Sequence, residues 1–330
     1  MSIGKAGERD YILHMNKPLN QSNHKIAIIG YGSQGRAIAL NLRDSGYDVV
    51  VGLREGSPSI AIAKKDNIPT ITTVGDAVSK TDVICFAFPD HLHERVYRDD
   101  IKPNLSKNCT LLFLHGLSVH FGYIEPPEDA DVILVAPHAP GDAVREKYLG
   151  DRSISAFYSV YQDSSGQAEK NAIDLAMGLG IQKRWLVRTT FEHEAVGDLF
   201  GEQAVLCGGL AALVKNGFDV LVENGIPAEN AYLEVAHQLD LIVELIKKHG
   251  IEGMLRRISV AARFGSLQTG PKIIDRAARE RMQVVYDRIR TGRFTDHLKK
   301  LTPDRIAELD QACAELSDPR LENVIRKYRD

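Results

Sequence analysis

The sequence predicts an α/β domain, a parallel sheet wound on both faces by helices, followed by an all-helical domain. Three observations carry this. Short apolar runs bounded by Gly, Pro or Asp alternate with amphipathic segments up to about residue 186, and such runs cease from about residue 189. A glycine-rich turn follows the first run directly. At 330 residues the chain also exceeds the ~250–300 residues at which a single core stops growing, so two domains are expected, at 1–187 and 188–330.

Taken in order, "KIAIIG" reads as the first strand and "SQGRAIALNLRDSG" as the helix behind it. "DVVVGL", "IPTITT", "DVICFAF", "TLLFLHG" and "DVILVAP" continue the strands; "AIAKKD" is a crossover segment. Continuous rather than alternating apolar character marks strands covered on both faces. In the second half, "HEAVGDLFGEQAVLCGGLAALVKNGFDVLVENG", "PAENAYLEVAHQLDLIVELIKKHG" and "PKIIDRAARERMQVVYDRIRTG" have helical spacing, usually with Gly near the end.

Composition excludes several classes. A net charge of -3 argues against a nucleic-acid binder or a protein held on anionic membranes. Cys85, Cys109, Cys207 and Cys313 form no CxxC pair, so neither a disulfide framework nor a zinc site is indicated, and a reducing cytoplasm is expected. The stretch MSIGKAGERDYILHMN lacks the apolar centre of a signal peptide, and no uninterrupted run approaches the ~18 apolar residues of a membrane span.

The turn after the first strand places Gly30, Gly32 and Gly35 in G-x-G-x-x-G register between a strand and a helix. In that context the first glycine makes a tight turn, the second lets backbone approach a pyrophosphate, and the third permits helix-to-strand packing, with the helix N-terminus facing the phosphates. This is a Rossmann-type dinucleotide site. The loop after the second strand, "LREGSPS", offers Arg54, Ser57 and Ser59, which suit a ribose 2′-phosphate and favour NADP over NAD; Glu55 argues the other way.

In "VGDLFGEQAVLCGGL", Asp198 and Glu202 stand four apart and share one helix face. The spacing fits a solvated acidic face. It also fits a pair of oxygen donors for a hard cation such as magnesium.

Beyond these motifs, "IGYGSQGRAIALNLRDSGYDVVVGLREGS", "FAFPD", "LLFLHGLSVHFG", "PPEDADVILVAP", "TTFEHEAVGDLFGEQAVLCGG" and "FGSLQTGP" occur in order and together resemble the ketol-acid reductoisomerase family in its short form, from about residue 24 to about 300. The resemblance implies an NADPH- and magnesium-dependent enzyme of branched-chain amino acid biosynthesis. An alkyl group migrates within an acetohydroxy acid and hydride then reduces the 2-keto acid. It implies metal ligation by Asp198, Glu202 and Glu234, with Gln238 at a fourth ligand position, and catalytic roles for His115, His138 and Glu202. It adds Tyr31, Ser33, Gln34, Pro89, Asp90 and His115 to the cofactor set, and Cys207, Glu234 and Ser259 to the substrate side. A homodimer or a multiple of dimers is implied, with each active site completed across the subunit contact.

Four departures fall inside these motifs. Gln238 stands where the family has a second glutamate, and His138, in "APHAPG", where it has a catalytic lysine. Ser118 replaces an asparagine, and Val260, Ala261 and Phe264 replace more polar residues around Ser259. An amide is a poorer magnesium ligand than a carboxylate, so one ion is expected to bind and a second more weakly. Exchanging lysine for a histidine that titrates near ~6.5 removes about one positive charge at pH 7, offsetting the carboxylate lost at Gln238. The expected activity is a reductoisomerase with an altered substrate; a 2-keto acid reductase without the migration step, or a non-catalytic NADPH-binding protein, are the alternatives. His91, His93 and His193 have no matched role and are expected on solvated faces.

Overall fold

The computed structural model describes residues 24–328; the N-terminal stretch read above as carrying no signal peptide lies outside them. The chain divides into two compact units between Val196 and Gly197.

The first unit holds one eight-stranded sheet in the order β3-β2-β1-β4-β5-β6-β7-β8. Its strands are β1 (Lys25–Ile29), β2 (Asp48–Gly52), β3 (Thr70–Thr72), β4 (Val83–Phe86), β5 (Thr110–Phe113), β6 (Asp131–Pro137), β7 (Ala156–Gln162) and β8 (Leu186–Arg188). β1 to β6 are parallel, with Ile26 paired to Val49 on one side and to Val83 on the other. Ile26, Ile28, Ile84, Leu111, Leu112 and Ile133 are completely buried, as expected for strands covered on both faces. Helices α1 (Ser33–Asp44), α2 (Ser59–Lys65), α3 (Val74–Ser79), α4 (His93–Val96), α5 (Leu117–His120), α6 (Gly141–Leu149) and α7 (Ala168–Gly178) fill the connections. The strand order reverses at β1/β4, the position at which open α/β sheets bind ligands beyond the carboxyl ends of their strands.

The sheet departs from the parallel one expected, because β7 runs antiparallel to β6. Its sequence, AFYSVYQ, mixes buried Ala156 and Ser159 with partly exposed positions, so it lacks the continuous apolar run that marked the other strands.

Helices α8 (Phe191–Gly201), α9 (Gly208–Glu223), α10 (Ala228–Tyr232), α11 (Leu239–Leu255), α12 (Val260–Ile273), α13 (Arg276–Arg290), α14 (Arg293–Leu298), α15 (Pro303–Leu316) and α16 (Pro319–Lys327) complete the chain. Caps define several starts: Asp275 Oδ1 accepts from the N–H of Ala278 at 2.9 Å, and the Thr302 and Asp318 side chains likewise cap their helices, which both open on proline. In the second unit Phe218, Ala231 and Leu321 form a small core joining α9, α10 and α16.

Two helices expected to be continuous contain wider turns of π type, at Glu202–Leu206 and Leu233–His237. The first is closed by the N–H of Cys207 donating to the carbonyl of Glu202 at 3.0 Å. It depends on the glycine pair that follows: a Cβ on Gly208 would lie 2.4 Å from the Gln203 carbonyl oxygen, and one on Gly209 2.1 Å from that of Ala204. In α11, Gly250 at φ 72° kinks the helix where the sequence suggested an end, and helical structure resumes to Leu255.

The helical stretch Phe191–Glu223 differs from expectation in one more respect. By length and a mean hydropathy of 1.6 over its most apolar 18 residues it is long and apolar enough to cross a membrane, yet almost none of that window is buried. An uninterrupted apolar run of that length is absent because Lys215, Asn216 and Asp219 break it. Apolar exposure extends beyond it, with Leu241, Val260, Phe264, Leu267 and Ile273 also exposed.

Candidate active site

The glycine turn has the form a pyrophosphate requires. Gly30 adopts φ 97°, and a Cβ there would fall 2.4 Å from the Ala87 carbonyl oxygen, whereas one on Gly32 would meet nothing within 4 Å. The turn is therefore tight on its inner side and open at Gly32. Gly32 caps α1 without a side-chain hydrogen bond, so no side chain competes with an anion for the helix N-terminus. The residues present thus fit a dinucleotide. Ser33 is exposed at the same end.

Tyr31 is buried, and its hydroxyl donates to Asp66 Oδ2 at 3.0 Å. Burial pushes its phenol above the ordinary tyrosine range. Asp66 also accepts a two-pronged bond from Arg36 at 2.6 and 2.8 Å, which holds its carboxyl below the usual carboxylate range. Gln34 donates from Nε2 to the carbonyl of Ala139 at 2.8 Å, while its buried Oε1 has no protein partner. That bond joins the dinucleotide turn to the turn bearing His138. The His138 backbone N–H donates to the Ser155 carbonyl at 2.9 Å, its Nδ1 lies 3.1 Å from Ser155 Oγ, and its ring stands edge-on to Phe157 at 4.3 Å.

After β2, Arg54 is exposed, and the N–H of Ser57 donates to the Arg54 carbonyl at 3.2 Å, folding the 54–59 loop onto the start of α2. Pro89 and Asp90 follow β4. His115 follows β5 and is held by a residue that sequence reasoning overlooked. Glu194 is 4% exposed; one carboxylate oxygen accepts the Gly116 N–H at 2.5 Å, and His115 Nδ1 lies 3.0 and 3.1 Å from the two oxygens. A carboxylate only accepts, so Nδ1 carries the proton and a neutral His115 presents Nε2 as a base. Glu194 lies in "FEHE" next to His193, which is exposed as expected. The missed signal was an acidic residue four before Asp198, on the same helix face.

His93 also corrects the reading. Expected on a solvated face, it is 3% exposed, between Ser118 and Phe88. The cause is its place at the start of α4, where the chain turns back over the end of β4 and the rings of Phe86 and Phe88 enclose the imidazole.

In the second unit, Asp198 and Glu202 are exposed, and Glu202 opens the first π turn. Glu234 lies in the second π turn and Gln238 caps α11 directly after it, so both acidic motifs coincide with π turns, which recur at functional sites. Gln238 Nε2 donates to Glu234 Oε2 at 3.3 Å. Among the described residues, no group of three or more His, Cys, Asp or Glu side chains is placed to hold a metal ion. The donor chemistry of these carboxylates suits magnesium. Cys207 is exposed next to the first π turn. Ser259 is the N-cap of α12, its Oγ accepting from the Ala262 N–H at 3.1 Å.

Residues 20–184 match the family domain described as acetohydroxy acid isomeroreductase, NADPH-binding domain, and residues 191–330 match the ketol-acid reductoisomerase C-terminal domain. The chain belongs to the ketol-acid reductoisomerase family. It is therefore an oxidoreductase of α/β plus helical architecture. A ketol-acid reductoisomerase (NADP(+)) of Xanthomonas oryzae pv. oryzae is 49% identical over 276 residues, covering 84% of this chain and 83% of the relative. That of Xylella fastidiosa is 47% identical, covering 84% and 79%. An NADH-preferring ketol-acid reductoisomerase from an uncultured archean superposes with TM-score 0.87 at 38% identity, covering 93% of this chain and 94% of that one.

Proposed function

We propose that the chain is an NADPH-dependent, magnesium-assisted reductoisomerase of small 2-hydroxy-keto acids, working as a homodimer or a multiple of dimers, without nucleic-acid or membrane partners, in the cytoplasm. The observation that carries the reading is the His115–Glu194 pair after β5, a base of fixed tautomer two strands from the dinucleotide turn, with β4 between them. Bound NADPH would supply hydride, and magnesium would polarise the substrate carbonyl and stabilise the alkoxide from which the alkyl group moves. Asp198, Glu202 and Glu234 would hold the metal. His115 Nε2 would take or return a proton at the substrate hydroxyl. Ser259 would meet the substrate carboxylate near the N-terminus of α12, with Cys207 on the substrate side.

Two features support a dimer. The acidic motifs do not reach three ligands within one copy, and the helical unit exposes large apolar side chains that a second copy would cover, which also accounts for the membrane-like hydropathy of Phe191–Glu223.

His138 and Gln238, with Val260 and Phe264, favour a substrate that differs from the usual acetohydroxy acids in charge distribution and is more apolar near Ser259. The direct test follows NADPH oxidation with 2-acetolactate and, separately, 3-hydroxy-3-methyl-2-ketobutyrate, with and without magnesium. Turnover of both supports the full reaction, the keto acid alone leaves a reductase, and tight NADPH binding without turnover on any keto acid would make the chain a binding protein.

Two variants sharpen the reading. R54A removes a charged donor for the 2′-phosphate and should raise KM for NADPH about 10- to 100-fold while leaving KM for NADH within about threefold, in parallel kinetic assays. Q238E restores a carboxylate beside Glu234 and should lower the half-saturating magnesium concentration about tenfold in a magnesium titration of the rate.

A further inference from the structure

We propose that His93 is a positioning residue, its imidazole tying the cofactor loop after β4 to the loop after β5 that carries His115. Its function rests on the reductoisomerase reading above; its geometry does not.

His93 Nε2 lies 2.9 Å from the Phe88 carbonyl oxygen and Nδ1 lies 2.6 Å from Ser118 Oγ. A carbonyl can only accept, so a neutral ring carries its proton on Nε2, and Nδ1 accepts the proton of the Ser118 hydroxyl. Burial holds the ring's pKa below the ordinary histidine value, against a weaker upward pull from Asp90, whose Oδ1 is 3.8 Å away. Both ring nitrogens are thus used, one on each loop.

The two loops matter for different reasons. Phe88 leads into Pro89 and Asp90, beside the β1/β4 switch point where the nicotinamide end of the cofactor would lie. Ser118 is three residues after His115 and is itself fixed, fully buried, with its carbonyl accepting from the N–H groups of Tyr123 and Ile124 at 2.8 and 3.0 Å. Glu194 holds one end of the His115 loop and His93 the other. The surroundings are aromatic, with Phe88 and Phe86 ring centres 4.4 and 5.5 Å from that of His93. In such surroundings a polar pair is tolerated only when fully satisfied, and removing one member leaves the other unpaired.

Glutamine tests the bonds rather than the ring, because its amide oxygen and nitrogen can accept from Ser118 and donate to Phe88 in place of the two ring nitrogens. NADPH affinity by fluorescence titration, kcat and KM for NADPH would be measured for wild type, H93Q, H93L, S118A and H93L/S118A. The expected result is that H93L raises KM for NADPH and lowers kcat by about tenfold each. S118A should lower kcat with a smaller change in KM, and H93Q should recover most of both. The double variant should be no worse than H93L, since both single changes remove one shared bond. Should H93L fail to fold, S118A against H93Q still decides. Wild-type-like values in S118A and H93L, or an H93Q as impaired as H93L, would overturn the proposal while leaving the reductoisomerase reading intact. A wild-type chain that binds no NADPH would overturn both.

Discussion

D198N should abolish the proposed magnesium-dependent turnover, with kcat expected to fall about 10³-fold or more, while NADPH affinity should stay within about twofold of wild type. The magnitude follows from the several kcal/mol of charge stabilisation that a Lewis acid contributes to a developing alkoxide. Asparagine keeps the size and one oxygen but loses the charge that a hard dication needs. Asp198 is exposed near the end of α8, so the substitution disturbs no core. The check is the rate of NADPH oxidation against magnesium concentration, alongside a fluorescence titration with NADPH. Unchanged magnesium dependence in D198N would remove this residue from the metal site. The glycine turn that binds NADPH is built wholly within the first unit, which is why the two readouts should separate.

E194Q should lower kcat by about 10²-fold with little change in KM for NADPH. The carboxylate of Glu194 accepts from the Gly116 N–H and sets the proton on His115 Nδ1. A glutamine offers one oxygen and one N–H donor in its place, so either Gly116 loses its acceptor or the amide donates to His115 Nδ1. The second outcome would move the imidazole proton to Nε2 and remove the base proposed for His115. General base catalysis is worth ~10²- to 10⁴-fold, which sets the scale. The decisive measurement is single-turnover NADPH oxidation, because a chemical step slowed in E194Q at unchanged NADPH affinity separates proton transfer from binding. E194A should additionally lower thermal stability, since it leaves a buried N–H unpaired at a cost of about 1–3 kcal/mol.

Features of the site that depend on neighbours along the chain were legible in the sequence. The glycine turn, the 54–59 loop and the Asp198/Glu202 pair each occupy one short segment, and backbone geometry alone brings their residues together. Features that depend on distant segments were not. His115 and Glu194 are 79 residues apart, and nothing in "FEHE" distinguishes the glutamate that turns inward from the one that does not. His93 was assigned to solvent because a polar residue between Leu92 and Glu94 looks like any surface position until the loop is folded over Phe86 and Phe88. The π turns at Glu202–Leu206 and Leu233–His237 were hidden for a related reason, since one extra residue per turn leaves the helical periodicity almost intact.

The family, the order of an α/β and a helical part and the glycine turn are thus legible in short segments, because each is written in local spacing. The antiparallel course of β7, the hold of Glu194 on His115, the burial of His93 between two loops and the exposure of a long apolar helical surface emerge with the folded chain. Those are outcomes of packing between residues far apart in the chain. Burial, tautomer and partner are set by which segments meet, and no single segment carries that information.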